Sequence, residues 1–315
     1  MVDPIRFIAP MPRLSHDGAR FVADVRRLET LGFDTVAVSQ HVTKGWQLGL
    51  VSTMAFAAAS TSRLRVLSLV AQNDLHHPAL LAKDIATIDA LSGGRVELGV
   101  GPGWHGDDYT ALGLTLTSGG TRVARLAEAL EIFHRYFTMD TVDFVGDYYR
   151  INNMEALPRC VQRPNPPILV GAGSPRMLEL AGRMADIVGL HARMGGEAID
   201  NTAIADLTAD SIQDKIQRVR AAAVAAGRPS PCFQFSCYHV RVTDAPDDEG
   251  PRSSWAAGVE AEKDLLKGSP AVLVGTAAEC AERLLEWRER FGITYWHLGP
   301  GVDAASRIIE RLTGD

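Results

Sequence analysis

His41 is the residue of this sequence best placed to move a proton. It follows the β-type run Thr35-Val-Ala-Val-Ser39 and the amide Gln40. An unperturbed histidine pKa of about 6.5 suits an acid or base near neutral pH. The alternative is a loop histidine bonded to nearby backbone. Its position at a strand end favours function, so we predict that His41 is catalytic.

A glycine-rich stretch ending Gly101-Pro-Gly103-Trp104 is the second chemical signal. Glycines leave the backbone unshielded, so a flat or anionic group can approach closely. The stretch is not a dinucleotide fingerprint, because Trp104 stands where a third glycine is needed, and no Gly-Lys-Ser/Thr follows for a phosphate loop. Trp104 would either stack on an aromatic ring or fill space under a loop.

The stretch Gly171-Ala-Gly173-Ser174-Pro175 has the composition of a phosphate site. Glycines after a strand, serine at the N-cap and proline in the first helical turn leave backbone amides facing outward. Arg176 would add positive charge. The alternative is an ordinary capped helix, which would not require both glycines. We predict the phosphate site.

Histidines on or after several strands raise the question of a metal: His41, His191, His239 and His297. No H-x-H stands in the first strand, and no strand end pairs a histidine with a carboxylate. We therefore predict that His191, His239 and His297 are pocket or core histidines and that the site holds no metal.

The neighbouring acids Asp107 and Asp108 form a second polar cluster. They would be a carboxylate pair only if adjacent side chains aimed together, which is rare. Acids at a helix N-terminus are the commoner explanation.

The elements that must position these residues alternate between strands and helices. Apolar runs predict strands at Arg6–Ala9, Thr35–Ser39, Leu64–Val70, Val96–Val100, Ile168–Gly171, Ile187–Leu190, Phe233–Val242 and Thr294–Leu298. Helical patterns lie between them, and Thr276-Ala-Ala-Glu279 reads as a capping box. The alternation predicts an α/β protein, a (β/α)8 TIM barrel, whose chemistry belongs at the carboxyl ends of the strands.

The chain is longer than the barrel requires. Its 315 residues exceed the roughly 250 of a typical barrel. We predict a single domain over residues 1–315, with insertions in the βα loops near 140–167 and 243–271. The first contains an alternating pattern around Gly146-Asp147 that indicates a small hairpin. Either insertion would act as a lid or an oligomer contact.

The composition of the chain indicates which classes of binding partner to expect. A net charge of −6 without a Lys/Arg-rich run gives little support for a nucleic-acid surface or an anionic membrane patch. No stretch approaches the ~18 apolar residues of a membrane span, and the N-terminus lacks a signal-peptide pattern. The four cysteines show no C-x-x-C spacing, which favours buried free thiols. We expect a small-molecule partner and a cytoplasmic location.

Taken together, four stretches resemble the luciferase-like monooxygenase superfamily of flavin and deazaflavin oxidoreductases. They are Gly32-Phe-Asp-Thr-Val-Ala-Val-Ser-Gln-His41, Asn73-Asp-Leu-His-His-Pro78, Leu91-Ser-Gly-Gly-Arg-Val-Glu-Leu-Gly-Val-Gly-Pro-Gly-Trp104 and Pro167-Ile-Leu-Val-Gly-Ala-Gly173. The resemblance covers nearly the whole chain. Asn73-Asp74 and Trp104 are most similar to an actinobacterial subgroup that depends on the deazaflavin coenzyme F420.

The resemblance implies a role for each matching residue. His41 would sit near the reactive face of the coenzyme as proton donor or acceptor. The other implied contacts divide by part of the coenzyme: Asn73 along the ring, Gly101, Gly103 and Trp104 beside the ring and ribityl chain, and Gly171, Gly173 and Ser174 at the phosphate.

Three further features are implied by the same resemblance. A non-prolyl cis peptide at Leu69-Val70 would form a bulge that supports the ring from behind. Gln40, which we count among the coenzyme-binding residues, replaces an acid found in several relatives and would still hydrogen-bond. The family habit is a homodimer.

The sequence therefore predicts an F420-dependent oxidoreductase that transfers hydride between deazaflavin C5 and a small organic substrate, with His41 handling the proton. A deazaflavin performs two-electron chemistry, so the protein's tasks are binding, orientation and proton management. Three alternatives stay open: an FMN-dependent monooxygenase, a metal-dependent hydrolase built on His41, His191 and His297, and a barrel that only binds a ligand. The substrate and the direction of transfer are not readable from the sequence.

Overall fold

The computed structural model of the protein describes residues 4–13, 17–43, 48–193, 201–245, 258–259, 262, 264–299 and 301–314. The strands are β1 (Arg6–Pro10), β2 (Thr35–Val38), β3 (Arg65–Ser68), β4 (Ala71–Gln72), β5 (Val96–Gly101), β6 (Thr141–Val145), β7 (Arg150–Glu155), β8 (Ile168–Ala172), β9 (Ile187–Leu190), β10 (Cys232–Ser236), β11 (His239–Val242), β12 (Val272–Gly275) and β13 (Ile293–His297).

Eight of these strands form a closed parallel barrel. The order is β1-β2-β3-β5-β8-β9-β10-β13, and β13 pairs with β1. The short strand β4 continues the path of β3 along β5. Neighbours around the barrel follow chain order, as the predicted (β/α)8 architecture requires. The predicted fold class is confirmed.

Helices occupy the connections between the strands. They are α1 (Gly18–Thr30), α2 (Leu50–Ser60), α3 (Pro78–Ser92), α4 (Gly106–Ala111), α5 (Gly119–Thr138), α6 (Pro175–Met184), α7 (Asn201–Ala205), α8 (Ala209–Ala225), α9 (Ala277–Phe291) and α10 (Val302–Thr313). The predicted capping box opens α9: Thr276 accepts from the Glu279 amide, and Glu279 accepts from the Thr276 amide.

The chain divides into two compact units. One contains the described parts of residues 1–12, 23–36 and 172–315, and the other contains those of residues 13–22 and 37–171. The predicted single domain stays a prediction. In the second unit β3 and β5 are lined by buried residues, among them Val66, Leu67 and Leu98. In the first unit Phe233, Phe235 and similar side chains fill the core.

Strands β3 and β5 approach each other very closely at Gly99. The Ser68 hydroxyl donates to the Gly99 carbonyl and accepts from the Gly99 amide, both at 2.8 Å. A Cβ at Gly99 would overlap the Ser68 carbonyl oxygen. Only glycine fits at this position of β5.

The first insertion contains the predicted hairpin. Strands β6 and β7 pair antiparallel, with Val145 opposite Arg150, and the Gly146 amide donates to the Tyr149 carbonyl at 3.0 Å. The second insertion, near 243–271, lies largely outside the described residues.

The predicted strand Phe233–Val242 is wrong as one element. Barrel strand β10 ends at Ser236, and residues 239–242 form β11, which pairs with β12 instead. The cause is a change of backbone partner: the Cys237 amide donates to His297, whereas the amides of Tyr238 and His239 donate to Ala271.

Two expectations from composition can be compared with the structure. The four cysteines form no disulfide; Cys160, Cys237 and Cys280 are buried, whereas Cys232 is half-buried. Burial raises the pKa of the Cys160 thiol to about 12. Among the described residues, no helix has both the length and the apolar character needed to cross a membrane.

Candidate active site

His41 forms a hydrogen-bonded pair with Asp108. His41 follows β2 and Asp108 lies in the first turn of α4. The distance from His41 Nδ1 to Asp108 Oδ2 is 2.7 Å. Asp108 is fully buried and also accepts from the Val42 amide (3.2 Å), the Thr43 hydroxyl (2.7 Å) and Gln72 Nε2 (2.8 Å). These donors satisfy the carboxylate on several sides.

These contacts fix the charge of Asp108 and the tautomer of His41. Burial alone would raise the pKa of the Asp108 carboxyl, but hydrogen bonds from Gln72, Thr43, His41 and the Val42 amide hold it well below its usual value. Asp108 is therefore an acceptor near neutral pH. Since an ionised carboxylate only accepts, the His41 nitrogen that faces it, Nδ1, carries a proton.

The glycine-rich turn leads the chain into α4. Gly103 has φ +80°, and a Cβ there would overlap the hydroxyl of the buried Tyr109. Arg122 Nε donates to the Gly103 carbonyl at 3.0 Å. Gly103 is thus required both by its left-handed backbone and by the packing of Tyr109.

Three aromatic rings meet at His41. The ring of Trp104 lies edge-on to His41, with centroids 6.0 Å apart, and His105 contacts His41 at 5.2 Å. The Trp104 side chain is 37% exposed, so part of the indole faces outward. This cluster places an aromatic surface next to the acid-base residue.

Gln40 bonds within the protein rather than to His41. Its Oε1 accepts from the Gln72 amide (2.8 Å) and from His76 Nε2 (2.9 Å), and its carbonyl accepts from Gln72 Nε2 (2.8 Å). Burial lowers the pKa of His76. Gln40 therefore links the ends of two neighbouring strands, and its predicted coenzyme contact stays a prediction.

The end of the third barrel strand has the predicted backbone. The Leu69-Val70 peptide is cis, and the Leu69 amide donates to the Val38 carbonyl at 2.8 Å. A Cβ at Gly101 would lie 3.0 Å from Val70 Cγ2. Leu69, Val70 and Gly101 are therefore placed at neighbouring strand ends, and their contact with a coenzyme stays a prediction.

Asn73 is buried beside a tyrosine of the hairpin insertion. Its Nδ2 donates to the Tyr149 hydroxyl at 3.1 Å, and its side chain is 1% exposed. The next residue, Asp74, forms an ion pair with Arg125 (2.9 Å) and accepts from the Tyr109 hydroxyl (3.1 Å). This network fixes the loop that follows β4.

The predicted phosphate residues lie where β8 ends and α6 begins. Gly171 and Gly173 are buried and Ser174 is half-buried. Ser174 occupies the predicted N-cap position, and its side chain makes no capping hydrogen bond to the first-turn amides. A Cβ at Gly173 would overlap the Ala192 carbonyl, which gives this glycine a packing reason of its own.

Two of the other strand-end histidines, His191 and His297, have backbone partners. His191 Nδ1 lies 2.7 Å from the Ala192 carbonyl, and His297 Nδ1 accepts from the Gly299 amide at 3.2 Å. Burial lowers the pKa of His297 to about 4. His239 lies half-buried in β11. These contacts support the interpretation of pocket or core histidines.

One cluster among the described residues has the composition of a metal site. His41, His105 and Asp108 offer ligand atoms within 4.8 Å of one another. However, His41 and Asp108 already share a direct hydrogen bond at 2.7 Å, and the other bonds of Asp108 come from donors that occupy its lone pairs. A metal would have to displace these donors, so the geometry favours an acid-base pair.

The pocket residues fit a flat heterocycle with N–H donors. Gln72 is 3% exposed, and no donor among the described residues reaches its Oε1. A Cβ built at Gly103 would lie 3.4 Å from that oxygen. The side-chain-free backbone at Gly103 is therefore next to an acceptor that lacks a donor. A buried acceptor of this kind is costly unless a ligand or water satisfies it.

Asp108 and Gln72 are the functional residues that sequence reasoning missed. Asp108 was weighed only against its neighbour Asp107, which is exposed. His41 lies 67 positions away in the chain, so only the closed barrel brings the pair together. The usable signal was an acid in the first turn after a strand-end glycine loop, where barrel active sites lie.

Comparison with known proteins agrees with this geometry. The model of the luciferase-like monooxygenase family matches residues 6–250. An FMNH2-dependent dimethylsulfone monooxygenase of Pseudomonas putida is 28% identical over 72% of this chain and 67% of its own length. An F420-dependent glucose-6-phosphate dehydrogenase of Amycolatopsis mediterranei is 32% identical over 51% of this chain. The matched region covers 49% of the length of that enzyme. A monooxygenase structure from Streptomyces bottropensis superposes with a TM-score of 0.72, at 25% identity and 98% coverage of both chains.

The barrel, its strand-end site and the extent of these matches assign the chain to the luciferase-like monooxygenase family. Both named relatives are oxidoreductases, one dependent on FMNH2 and one on F420. The coenzyme class of the family is thus a flavin or a deazaflavin.

Proposed function

We propose that this protein is an F420-dependent oxidoreductase acting on a small organic substrate. The observation that carries the proposal is the pair formed by His41 and the buried carboxylate Asp108 at the carboxyl ends of the barrel strands. This pair is suited to moving one proton beside an aromatic surface, which is the task that hydride chemistry leaves to the protein.

The two residues of the pair have different tasks. Asp108 holds the His41 ring in one orientation and keeps the Nδ1 proton in place. His41 Nε2 takes the proton of a substrate hydroxyl when the substrate is oxidised and returns it in the reverse direction. The coenzyme, when bound, accepts or supplies the hydride. Trp104, beside the His41 ring, excludes water from one side of the reacting atoms.

The residues that would hold the coenzyme come from several strand ends. Those assigned to the ring and ribityl chain are Gln40, Leu69, Val70, Asn73, Gly101, Gly103 and Trp104. Gly171, Gly173 and Ser174 would meet its phosphate, because the first-turn amides of a helix have no partner within the helix and the Ser174 side chain makes no capping bond to those of α6.

An FMN-dependent monooxygenase is the second candidate. One observation favours it: the match to the dimethylsulfone monooxygenase extends over 72% of this chain, whereas the match to the F420-dependent dehydrogenase extends over 51%. Identity points the other way, at 28% and 32% respectively. The resemblance of Asn73-Asp74 and Trp104 to the F420 subgroup decides our choice.

Titration of the purified protein with oxidised F420 and, separately, with FMN tests the proposal. We expect tight binding of F420, measured by its fluorescence. Ser174→Asp should weaken this binding, because it places a negative charge at the phosphate. His41→Ala should retain binding and lose turnover. Preference for FMN together with oxygen uptake would establish the monooxygenase instead. Binding of neither would refute both candidates.

We also propose that the protein is a homodimer that binds small molecules. Helix α2 supports the dimer, because it exposes Ala55, Phe56 and Ala59 on one side, and Phe56 is 49% exposed. The cytoplasmic location stays a prediction.

A further inference from the structure

A single carboxylate anchors the hairpin insertion to helix α5. Glu128 Oε1 accepts from the Asp147 amide at 2.7 Å, and Oε2 accepts from the amides of Tyr148 (3.0 Å) and Tyr149 (3.1 Å). A Cβ at Gly146 would overlap this carboxylate. Charge-assisted bonds to three successive amides hold a turn firmly. The conformation of the hairpin tip is therefore set by α5.

The anchored turn brings Tyr149 to a predicted coenzyme residue. The Tyr149 hydroxyl accepts from Asn73 Nδ2 at 3.1 Å, and its ring packs edge-on against His77 with centroids 5.8 Å apart. Burial raises the pKa of Tyr149, so the hydroxyl stays protonated. Asn73 itself is buried at the end of β4. The insertion thus contacts the strand end rather than projecting away from it.

We propose that Tyr149 is a positioning residue for the coenzyme ring and acts through Asn73. The inference rests on the proposed function. An asparagine amide has a donor end and an acceptor end, and a half-turn of the side chain exchanges them. In the structure Nδ2 donates to the Tyr149 hydroxyl, which leaves Oδ1 as the end that would accept from a heterocycle with an imide N–H. Flavins and deazaflavins both carry this group.

The hairpin insertion then sets coenzyme affinity. Its tip is linked by consecutive contacts from Glu128 to the backbone of residues 147–149, and from Tyr149 to Asn73. A change in the turn would reach the ring through these contacts without altering the His41–Asp108 pair. Coenzyme affinity and proton transfer would be separable by mutation.

The test compares two neighbouring tyrosines of the same turn. Tyr149→Phe removes the hydroxyl that holds Asn73, and we expect the Kd for the coenzyme to rise about five- to tenfold, as for loss of one hydrogen bond. Tyr148→Phe is the matched control, since Tyr148 is 38% exposed and its ring lies under Arg125; its Kd should equal that of the wild type. Both F420 and FMN are titrated.

A double-mutant cycle identifies the route. In the Asn73→Ala background, Tyr149→Phe should change Kd by less than about twofold, because the residue through which it acts is gone. Hydrogen exchange of amides 147–149 should match the wild type in Tyr149→Phe, which shows that the turn stays anchored. In Glu128→Gln these amides should exchange faster and Kd should also rise.

Each outcome decides between the two proposals. If the wild type binds neither coenzyme, the proposed function and this inference both fail. If the wild type binds and Tyr149→Phe binds equally well, only the inference fails. If Tyr149→Phe weakens binding by the same factor with and without Asn73, Tyr149 does not act through Asn73 and the inference is overturned.

Discussion

Asp108 gives His41 a defined orientation, because the carboxylate is held by donors on several sides. A rigid acceptor fixes the tautomer of the ring that bonds to it. The ring of His41 is then constrained by Asp108 at Nδ1 and by the neighbouring aromatic rings of Trp104 and His105. The proton transfer that we propose at Nε2 would depend on this support.

Asp108→Asn tests the support directly. The amide that replaces the carboxylate cannot accept from every present donor and no longer fixes the Nδ1–H tautomer. We expect turnover to fall at least ~100-fold, the usual contribution of positioned acid-base catalysis, whereas the Kd for the coenzyme changes by less than about threefold. Steady-state kinetics and titration measure the two effects. Asp107→Asn, at the exposed neighbour, should behave as the wild type; equal turnover in both variants would contradict the role of Asp108.

His297 makes the folded state sensitive to acid. Its folded pKa of about 4 lies below the unfolded value near 6.5, so the unfolded chain binds a proton first as pH falls. The stability that His297 contributes is present above pH 6.5 and is lost as pH falls toward 4. Between these pH values we expect the wild type to lose on the order of 3 kcal/mol more than His297→Asn. Urea unfolding at several pH values measures this; parallel curves for the two proteins would disprove it.

Single residues were predictable from the sequence where local position decides their role, and not where a distant partner does. His41 could be placed at a strand end from the run before it, and its location is confirmed. Asp108 could not be assigned to His41, because the contact exists only after the strands have closed around the core. The same applies to Tyr149, whose partner Asn73 is 76 positions away.

Strands β5 and β3 approach each other closely at Gly99, opposite Ser68. Gly99→Ala would force a Cβ into the Ser68 carbonyl, and neither backbone can shift without breaking the Ser68 hydroxyl contacts. We expect a loss of at least ~3 kcal/mol of unfolding free energy, as for overpacking of a close-packed core, or insoluble protein. Thermal unfolding followed by circular dichroism measures the loss.

Gly18→Ala is the control for this substitution. No atom lies within 4 Å of a Cβ built at Gly18, which is the first residue of α1. Alanine is the better helix former, so the melting temperature should be unchanged or slightly raised. A Gly99→Ala protein that melts at the wild-type temperature would show that the strands can separate at this point.

Most helices and strands were predictable because residues at their ends, such as capping residues, proline and glycine, mark where they begin and end. Thr276 and Glu279 mark the start of α9, and Pro78 and Gly93 lie at the two ends of α3. The run Phe233–Val242 failed as one strand because apolar periodicity does not reveal which backbone a residue pairs with. The amides of Tyr238 and His239 donate to the Ala271 carbonyl, which lies about thirty positions further along the chain.

The barrel as a whole was predictable from the alternation of strands and helices, but the surface on which the proposed homodimer rests was not. Helix α2 is rich in apolar residues, and Phe56 on its exposed side is 49% exposed, with its ring centroid 6.0 Å from that of Phe21. Exposed apolar surface of this kind is typical of an interface. The exposed side was not visible in the sequence, because an apolar helix could equally be buried.

Phe56→Glu tests the proposed homodimer. We expect the wild type to have twice the 34.0 kDa chain mass in solution, and the variant to have the mass of one chain, because a buried charge opposes association. Light scattering after size exclusion measures both. Val224→Glu, at a 77% exposed valine of α8, should leave the mass unchanged. A wild type of single-chain mass would rule out the homodimer.

Because Glu128 attaches the hairpin at its tip, we expect that residues 141–155 can be replaced as one unit. The turn needs Gly146 and three backbone amides from its own side, and one glutamate from the helix that receives it. We expect hairpins of different length to be exchangeable at this site in chimeras, provided that the glycine, the glutamate, the bond from Arg135 to the Asp143 carbonyl and the Tyr149 contact with Asn73 are kept. Sequence changes within the hairpin would then alter the proposed pocket for the coenzyme ring, while the sequence of the barrel stays the same.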